Sequence, residues 1–382
     1  MSQETLRMSQ KERDRLLVMH QVEEGAMSLL EAAERLEVCY RQMRRIAKRF
    51  LESGEAGLVH RSRDRVSNRR LDEDFRREAL RLFEAHYKDY GPTLASETLG
   101  EEHGIFVHAE TLRRWLHVAH LGVIRTGHRR NRKARARRAC RGEMVQMDGS
   151  FHDWFEGRGN PCNLMVAVDD ATGRLLCAFS EQETLASAYA LLRQWIERLG
   201  VPQALYVDRR SMYVAGREPT AQEKRAGTGA LTDFGRACNE LGIGLILAHS
   251  PQAKGRVERM NGTLQDRLVK ALRRKGIGSI AEANAFLPKF IESFNDRFCV
   301  EPASAVDRHR KRPARSVLNE VLCRQEERTV QNDWTISYEG RAYQINDGTC
   351  RPRQKVTVRR RHDDSMTILH EGRRVRFREA AT

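Results

Sequence analysis

The sequence predicts a multidomain chain with all-α helix-turn-helix modules, an α/β core and a small C-terminal β-barrel. Helical periodicity with capping signals runs through residues 1–121, whereas apolar strand-like runs alternate with amphipathic helices from 143 to 300. Short β segments separated by turn residues follow from 326 to 382. At ~100 to 200 residues per domain, this length suggests two to four units, and the changes of pattern favour four.

The predicted boundaries follow these changes of pattern. They give a helix-turn-helix domain over 1–60, a basic arm over 61–71, a second helix-turn-helix-like domain over 72–121, a basic linker over 122–142, an α/β core over 143–300, a connector over 301–325 and a basic β-barrel over 326–382. The arm and the linker are assigned where apolar periodicity stops and basic residues accumulate.

A capping box marks the start of a helix in the first module. Ser28 and Glu31 have the S-x-x-E spacing, and Val38 begins a turn into a second helix over Tyr40 to Leu51. That second helix has a basic face suited to base edges or phosphates, and a merely solvated basic helix is the alternative. Its predicted DNA-binding residues are Tyr40, Arg41, Gln42, Arg44, Arg45 and Lys48.

A second helix pair follows the first module. Thr93 to Leu99 and Ala109 to Val118 have helical periodicity around a short connection. On the second of these helices we predict exposed DNA contacts at Arg113 and Arg114. Trp115 is expected in the core rather than as a platform on which bases stack.

Two basic segments flank this second pair. The first, HRSRDRVSNRR, suits a minor groove, with a solvated linker as the alternative, and its predicted contacts are Arg61, Arg63 and Arg65. The second, from Arg125 to Arg141, contains no acid and cannot fold alone because like charges repel. We expect it to follow the DNA backbone rather than to be a solvated tether. Its predicted contacts are Arg129, Arg130, Arg132 and Lys133.

The predicted core begins with three strands. Asp148 ends the first apolar run, and Leu164 to Val168 and Leu175 to Phe179 form a hairpin around a short turn. Thr184 then caps a helix that Gly200 closes. The remaining elements are a strand over Ala204 to Val207, a helix over Thr232 to Leu241, a strand over Gly244 to Ala248 and a helix that carries Glu258. Three antiparallel strands followed by alternating helices and strands is the ribonuclease H-like order.

Three acids lie at the ends of these core elements. Asp148 and Asp208 each end a strand, and Glu258 lies on the polar face of the last helix. Hard cations prefer oxygen ligands, and two Mg²⁺ ions can activate a water or 3′-hydroxyl and stabilise the leaving oxygen of a phosphodiester. Carboxylates gathered without metal would raise one another's pKa, so the set is best explained by cations. Weaker candidates, for which a structural turn role is expected instead, are Asp153, Asp169 and Asp170.

The stretch around Glu258 resembles a known motif. HSPQAKGRVERMNGTL is similar to the strand-turn-helix of retroviral integrases and of the insertion-sequence transposases that share their fold, in which P-Q-x-x-G-x-x-E-x-x-N carries the last acid of a DDE triad. QMDG, YVDRRS, FGRACNELGI and QDRLVKALR are similar to the ISNCY group of bacterial transposases, and the likeness covers most of the chain. The resemblance implies that Asp148 bridges two Mg²⁺ ions, with Mn²⁺ as a substitute, while Asp208 and Glu258 each hold one.

The turn before Glu258 is also implicated in DNA contact by this resemblance. The predicted contacts there are Gln252, Lys254 and Arg256. One feature departs from the family pattern, because Asp208 and Glu258 are 50 positions apart, which is wider than the usual separation. We assign the excess to Tyr213 to Ala230, a polar, glycine-rich segment without apolar periodicity, and interpret it as an insertion near the site.

The end of the chain predicts a compact basic β-barrel. Its short β segments are Thr335 to Ser337, Arg341 to Ile345, Lys355 to Arg359, Thr367 to Leu369 and Arg374 to Phe377. Arginines are concentrated on the later segments. They either hold DNA, which we favour, or only keep the strands soluble.

The overall charge indicates a polyanionic partner. The formal net charge is +16 and the isoelectric point is near 9.8, which informs about association rather than fold. No apolar run approaches the ~20 residues of a membrane-spanning helix, and the N-terminus lacks the apolar stretch of a signal peptide. We therefore expect no membrane contact and a cytoplasmic protein, and the resemblance implies a bacterial protein associated with the nucleoid. The eight cysteines form no C-x-x-C pair, which argues against a disulfide framework and a thiolate zinc site.

The resemblance implies a metal-dependent polynucleotidyl transferase and endonuclease of the DDE transposase type. We expect it to bind the terminal inverted repeats of an insertion sequence in double-stranded DNA, cleave their 3′ ends and join them to target DNA by in-line displacement at phosphorus. Two ends must meet in one complex, so a homodimer or higher oligomer is expected. The alternatives are a structure-selective nuclease of the same fold and an inactive, domesticated DNA-binding regulator.

Overall fold

The computed structural model describes residues 6–60, 63, 71–122, 136–219, 224–225, 229–248, 255–346, 348, 350–361 and 364–380. The chain divides into two compact units, Met1–Gly127 and His128–Thr382. Within the described ranges the first unit contains only helices, and every strand belongs to the second.

The first module of the N-terminal unit has three α-helices around its own core. Helix α1 spans Gln10–Glu23, α2 Leu29–Arg35 and α3 Tyr40–Ser53, and a 3₁₀ helix follows over Gly54–Leu58. The predicted capping box is confirmed, because Ser28 N donates to Glu31 Oε2 across 2.8 Å and Glu31 N donates to Ser28 Oγ across 3.3 Å. The core residues that α2 and α3 contribute are Ala32, Ala33, Met43, Ile46, Ala47 and Phe50.

Helix α1 is not among the predicted elements. Its apolar side chains, Leu16 to Met19, are consecutive in sequence rather than spaced at helical intervals. Only Val18 and Met19 of this run are buried, where they complete the core formed by α2 and α3. Tertiary packing therefore stabilises a helix that periodicity alone does not mark.

The second module also has three helices and a separate core. Helix α4 spans Glu73–His86, α5 Pro92–His103 and α6 Ala109–Val118. The predicted pair corresponds to α5 and α6, with proline at the first position of α5 and Gly104 in the left-handed conformation (φ +66°) at its end. Trp115 is half-buried and packs edge-on against Phe75, with ring centroids 6.3 Å apart, in agreement with the expected core role.

The second unit is built on a five-stranded sheet. Strand β1 spans Val145–His152, β2 Cys162–Asp169, β3 Leu175–Ser180, β4 Ala204–Val207 and β5 Gly244–Leu247. The strand order is β3-β2-β1-β4-β5. Strands β1 to β3 are antiparallel, β4 runs parallel to β1, and β5 runs parallel to β4. The predicted ribonuclease H-like order of elements is confirmed.

Amphipathic helices pack on this sheet. Those in the described residues are α7 over Leu185–Leu199, α8 over Asp233–Glu240, α9 over Gly255–Arg274 and α10 over Ile280–Phe298. The predicted limits of α7 are confirmed, because Thr184 Oγ1 accepts from Ser187 N and Gly200 ends the helix with φ +106°. Apolar side chains of α7, α9 and α10 join those of the sheet in one core that includes Trp195, Leu264 and Leu287.

Two asparagines of α10 cover the free backbone groups of the outer strand β3. Asn295 Oδ1 accepts from Leu175 N across 2.7 Å, and its Nδ2 donates to Leu175 O across 2.9 Å. Asn284 makes the same pair of bonds with Phe179, at 2.8 and 3.0 Å. An edge strand otherwise presents unpaired N–H and C=O groups to other chains. The edge at β3 is therefore occupied by side chains of the same molecule.

The C-terminal strands form two sheets around one core. After α11 (Arg315–Val321), the strands are β6 over Arg324–Thr329, β7 over Thr335–Tyr338, β8 over Arg341–Ile345, β9 over Lys355–Arg360, β10 over Met366–His370, β11 over Arg373–Val375 and β12 over Phe377–Glu379. One sheet has the order β11-β10-β9-β6 and the other β12-β8-β7. The predicted closed barrel is not confirmed among these described strands. Strand β6 was not predicted because its sequence, RQEERT, is wholly polar, yet it pairs with β9 along its length.

Two further predictions concern disulfide bonds and membrane-spanning helices. All eight cysteines lie in described residues, and none of them forms a disulfide. Cys39 is exposed and Cys299 is half-buried, whereas the others are buried. In the described part of the chain, no helix combines the length and hydropathy that a membrane span requires.

Candidate active site

Asp148 lies in the middle of β1 rather than at its end. Strand β1 pairs with β2 along its whole length, from Val145 to His152. Its pairing with β4, in contrast, extends only over Val145 and Gln146. The prediction that Asp148 ends its strand is therefore wrong. Asp148 does lie two residues beyond the last residue of β1 that pairs with β4.

Asp208 directly follows β4, as predicted. In the parallel register between β1 and β4, Gln146 lies opposite Tyr206. Asp148 and Asp208 each lie two residues beyond this last pair, so the two acids follow the same end of the β1–β4 pairing.

Glu258 lies in the first turn of α9, and a row of polar contacts fixes this helix on β1. Val257 N donates to Gln146 Oε1 (3.3 Å), Asn261 Nδ2 to Asp148 Oδ2 (3.2 Å) and Gln265 Nε2 to Ser150 Oγ (3.3 Å). Four residues along a helix advance about 6 Å and two residues along a strand about 6.6 Å. Successive helix residues of the row therefore remain level with their strand partners. We call these three hydrogen bonds the α9–β1 row. Glu258 directly follows Val257, which makes the first of them.

A buried ion pair anchors the start of α9. Arg256 Nε lies 2.8 Å from Asp170 Oδ1, and the Asp170 side chain is fully buried. Gln146 Nε2 donates to the same oxygen across 2.7 Å, and Arg138 N donates to Asp170 Oδ2 across 2.8 Å. Gln146 therefore joins Asp170 to Val257 N in the first turn of α9, where helical N–H groups lack partners within the helix.

The acids considered as weaker candidates differ from one another in role. Asp169 Oδ1 accepts from Thr172 N and Oγ1, both at 2.8 Å, which is the expected turn role. Asp153 accepts from Gly157 N in another turn. The turn interpretation is wrong for Asp170, because a fully buried carboxylate needs the charge of Arg256 in addition to neutral donors.

Arg210 bridges Asp208 and a fourth acid, Glu183. Arg210 Nε lies 3.0 Å from Asp208 Oδ2, and Arg210 N donates to Asp208 Oδ1 across 3.1 Å. Arg210 Nη1 contacts Glu183 Oε2, and the Glu183 side chain is only 8% exposed. A Cβ atom at Gly149 would overlap the Glu183 carboxylate, so glycine provides the space for it. This fourth acid therefore lies against β1 at Gly149, the residue that follows Asp148.

A buried phenol lies among these acids. Tyr213 is 4% exposed and packs edge-on against Phe234, with ring centroids 5.0 Å apart. Within the described residues its hydroxyl has no hydrogen-bond partner. Burial raises the pKa of Tyr213, and the negative charges of Glu183, Asp208 and Asp148 raise it further.

The donor chemistry of this region fits a hard divalent cation. Asp148, Asp208 and Glu258 carry carboxylate oxygens, which Mg²⁺ prefers. The buried Asn261 Oδ1 has no hydrogen-bond partner in the described part of the chain. However, no three His, Cys, Asp or Glu side chains of the described ranges are grouped closely enough to hold a metal ion. At Asp208, the guanidinium of Arg210 contacts an oxygen that a metal would require.

The most similar curated proteins include two transposases. The chain is 41% identical over 334 residues to the y4bF protein of Sinorhizobium fredii (strain NBRC 101917 / NGR234), named as a transposase, a match that covers 87% of this chain and 72% of that protein. It is 30% identical over 369 residues to the transposase for insertion sequence IS1202 of Streptococcus pneumoniae, covering 87% of this chain and 77% of the relative. The chain belongs to the transposase family.

Comparisons with domain models and with solved structures complement the two relatives. Models of a Homeodomain-like domain match residues 9–59 and 42–116 of the transposase, which confirms the helix-turn-helix prediction for its N-terminal modules. Among solved structures, the catalytic core domain of BIV integrase is similar at 23% identity and a TM-score of 0.29, covering 41% of this chain and 85% of that one. The family assignment rests on the two sequence relatives.

Helix α3 of the transposase exposes all six residues that we predicted to contact DNA. They are Tyr40, Arg41, Gln42, Arg44, Arg45 and Lys48. On α6, Arg113 and Arg114 are also exposed, and Arg114 Nε lies 3.7 Å from a carboxylate oxygen of Glu110. Surface ion pairs of this kind are weak, so they leave these arginines available to phosphate. Their contact with DNA stays a prediction.

Two other predicted DNA contacts have carboxylate partners within the fold. Arg63 contacts the buried Glu12, and Arg256 is paired with Asp170. A DNA phosphate would compete with a buried carboxylate at both positions, so both arginines have a structural role. The remaining predicted contacts, which fall outside the described residues, are Arg61, Arg65, Arg129, Arg130, Arg132, Lys133, Gln252 and Lys254.

Three polar residues of the site, Gln146, Arg210 and Glu183, are not among the predicted site residues. Gln146 shares a strand face with Asp148 by the two-residue period, which is a usable signal. Arg210 lies two residues after Asp208, where a cation beside an acid suggests an ion pair. Glu183 gives no comparable signal, because it lies in a polar loop and reaches β1 only through the fold.

Proposed function

We propose that this transposase is a DDE enzyme that binds the terminal inverted repeats of its insertion sequence, cleaves the 3′ ends and joins them to target DNA. One geometric relationship carries the proposal. Asp148 and Asp208 each lie two residues beyond the last β1–β4 pair, while the α9–β1 row holds the helix of Glu258 on β1. Carboxylates distant in sequence thus arise from elements that are fixed to one another.

The three acids would hold two Mg²⁺ ions, or Mn²⁺ in their place, with Asp148 shared and Asp208 and Glu258 each binding one. Bound ions would polarise the scissile phosphate, lower the pKa of the attacking water or 3′-hydroxyl and stabilise the leaving oxygen. The protein supplies the positioning. Asn261 orients the Asp148 carboxylate by a hydrogen bond, and Gln146 ties the first turn of α9 to the sheet. No nucleophilic side chain is required.

The helical modules would supply recognition of double-stranded DNA. The exposed basic faces of α3 and α6 suit a groove and its phosphates, because phosphate contacts position a protein and base-edge contacts specify the sequence. The basic C-terminal sheets would add contacts to the DNA backbone, and the chain would divide into the domains that its sequence predicts. Both element ends must react in one complex, so the active form is a homodimer or higher oligomer on nucleoid DNA.

The test is incubation of the purified protein with labelled terminal repeats, a target plasmid and Mn²⁺. Wild-type protein should yield cut 3′ ends and joined products. The matched variants Asp148→Asn, Asp208→Asn and Glu258→Gln should lose both by a factor of at least about a thousand, because each removes a charged ligand. All three should retain end binding in a gel-shift assay.

The products separate this proposal from its alternatives. Nicks without joined products would indicate a structure-selective nuclease. A shifted band with no cutting by wild-type protein would indicate a DNA-binding regulator. Strand transfer that survives in any one of the three variants would remove that residue from the triad.

A further inference from the structure

The Arg210 bridge lies where the proposed chemistry requires a metal ligand. Both carboxylate oxygens of Asp208 are engaged by Arg210, one through Nε at 3.0 Å and the other through its backbone N–H at 3.1 Å. The guanidinium is at the same time in contact with Glu183. Asp208 Oδ2 is therefore not available to a metal ion while Arg210 Nε is in contact with it.

The two carboxylates of the bridge differ in their surroundings. Glu183 is 8% exposed and lies in the space left by Gly149, whereas Asp208 is 26% exposed. A charged carboxylate that is nearly buried needs a partner more than one that water can reach. If Arg210 releases one of its two carboxylates, water can stabilise the charge of Asp208 better than that of Glu183.

We propose that Arg210 and Glu183 are positioning residues that set the metal affinity of Asp208. Arg210 acts as a resident counter-cation that orients the Asp208 carboxylate before metal arrives, and Glu183 retains the guanidinium when a divalent cation displaces it from Asp208. The metal ion thus replaces the Arg210 guanidinium at Asp208, rather than binding to carboxylates that have no counter-cation. This inference rests on the proposed role of Asp208 in metal binding.

The experiment is titration of the full-length, DNA-free protein with Mn²⁺, followed by calorimetry or by the electron paramagnetic resonance signal of free Mn²⁺. Arg210→Ala should bind Mn²⁺ roughly 2- to 5-fold more tightly than wild type, because a half-exposed competing ion pair is removed. Glu183→Gln should bind it several-fold more weakly, because the guanidinium is then left to Asp208 alone. Opposite shifts from the two halves of one ion pair are not expected from general loss of structure.

Arg210→Lys is the matched control for charge. Lysine keeps the positive charge but lacks the planar fork that reaches two carboxylates, so its Mn²⁺ affinity should lie closer to that of Arg210→Ala than to wild type. Wild-type affinity in Arg210→Lys would show that only net charge matters, and unchanged or weaker binding in Arg210→Ala would show that no exchange occurs. Either result overturns the inference.

Asp208→Asn separates this inference from the proposed function. Loss of Mn²⁺ binding in that variant together with a null result for Arg210→Ala would refute only the counter-cation role. Wild-type Mn²⁺ affinity in Asp208→Asn would instead refute the assignment of Asp208 as a ligand, and the inference would fall with it.

Discussion

Asn261 Nδ2 of α9 donates a hydrogen bond to Asp148 Oδ2 of β1 across 3.2 Å, which joins the helix of one proposed acid to the side chain of another. Asn261 is buried, and its amide oxygen has no hydrogen-bond partner among the described residues. The helix is thus fixed relative to the sheet at the site itself. The proposed chemistry depends on this relationship in addition to the acids.

We expect Asn261→Ala to reduce metal-dependent cleavage of terminal repeats by about 10- to 100-fold, the usual effect of removing a group that orients a metal ligand. Gln265→Ala is the matched control, because Gln265 contacts Ser150 in the same row but no acid. It should stay within about threefold of wild type. Cleavage rates at saturating Mn²⁺, compared between the two variants, check the prediction. Equal losses would mean that the row stabilises α9 without a specific effect at Asp148.

The Asp170–Arg256 ion pair should make a large contribution to the stability of the core. Replacing Arg256 by Met leaves a fully buried carboxylate without its cation, so we expect a loss of about 3 to 5 kcal/mol in the free energy of unfolding. The double variant Asp170→Asn with Arg256→Met should lose less, since no unpaired charge is then buried. Calorimetric unfolding of the three proteins provides the measurement. If Arg256 serves DNA contact alone, Arg256→Met will unfold like wild type.

The two asparagines on the β3 edge should differ in importance. Asn295 is half-buried and Asn284 is exposed, so water can replace the bonds of Asn284 more readily. We expect Asn295→Ala to cost about 1 to 3 kcal/mol in the free energy of unfolding and Asn284→Ala clearly less. Light scattering should also show more self-association for the double variant, because its edge strand is uncovered. A larger effect at Asn284 would contradict this explanation.

The first module should lose stability in acid through Glu12. Backbone hydrogen bonds from Ser9 and then His60 to this carboxylate hold its pKa at about 2, below its ordinary 4.5. A depressed pKa means that the stabilisation is present above pH 4.5 and is lost as the pH falls from 4.5 towards 2. Hydrogen exchange of α1 peptides, corrected for intrinsic rates, should therefore accelerate over this window.

Glu12→Gln provides the comparison for that pH effect. The variant should exchange faster than wild type at neutral pH, and the two should converge as the pH approaches 2. A constant difference between them across the whole window would mean that the charge of Glu12 is not what stabilises the module.

Local signals in the sequence were sufficient for the elements whose structure is set locally. The capping box at Ser28, the strand over Ala204 to Val207 and the helix closed by Gly200 were all predicted, because caps, apolar runs and left-handed glycines act over a few residues. Strand β6 was not predicted, since its stability comes from a partner elsewhere in the chain. Helix α1 was not predicted because its apolar residues lack helical spacing, although Ser9 and Glu12 form a local capping box at its start.

The same division applies within the site. The acids could be selected from the sequence because their residue types and positions in strands and a motif are local properties. The roles of Glu183 and Asp170 depend on contacts with Arg210 and Arg256, which lie 27 and 86 positions away along the chain. The burial of Asn261 likewise follows from docking of α9 on β1, which no helical period reveals.

The most direct test of the central claim is a crystal structure of the protein bound to a terminal repeat in the presence of Mn²⁺, with anomalous scattering to locate the metal. We expect two Mn²⁺ ions about 3.5 to 4 Å apart, with Asp148 bound to both and Asp208 and Glu258 each bound to one. Manganese bound elsewhere on the protein, with these three carboxylates uncoordinated beside the cut phosphate, would contradict it.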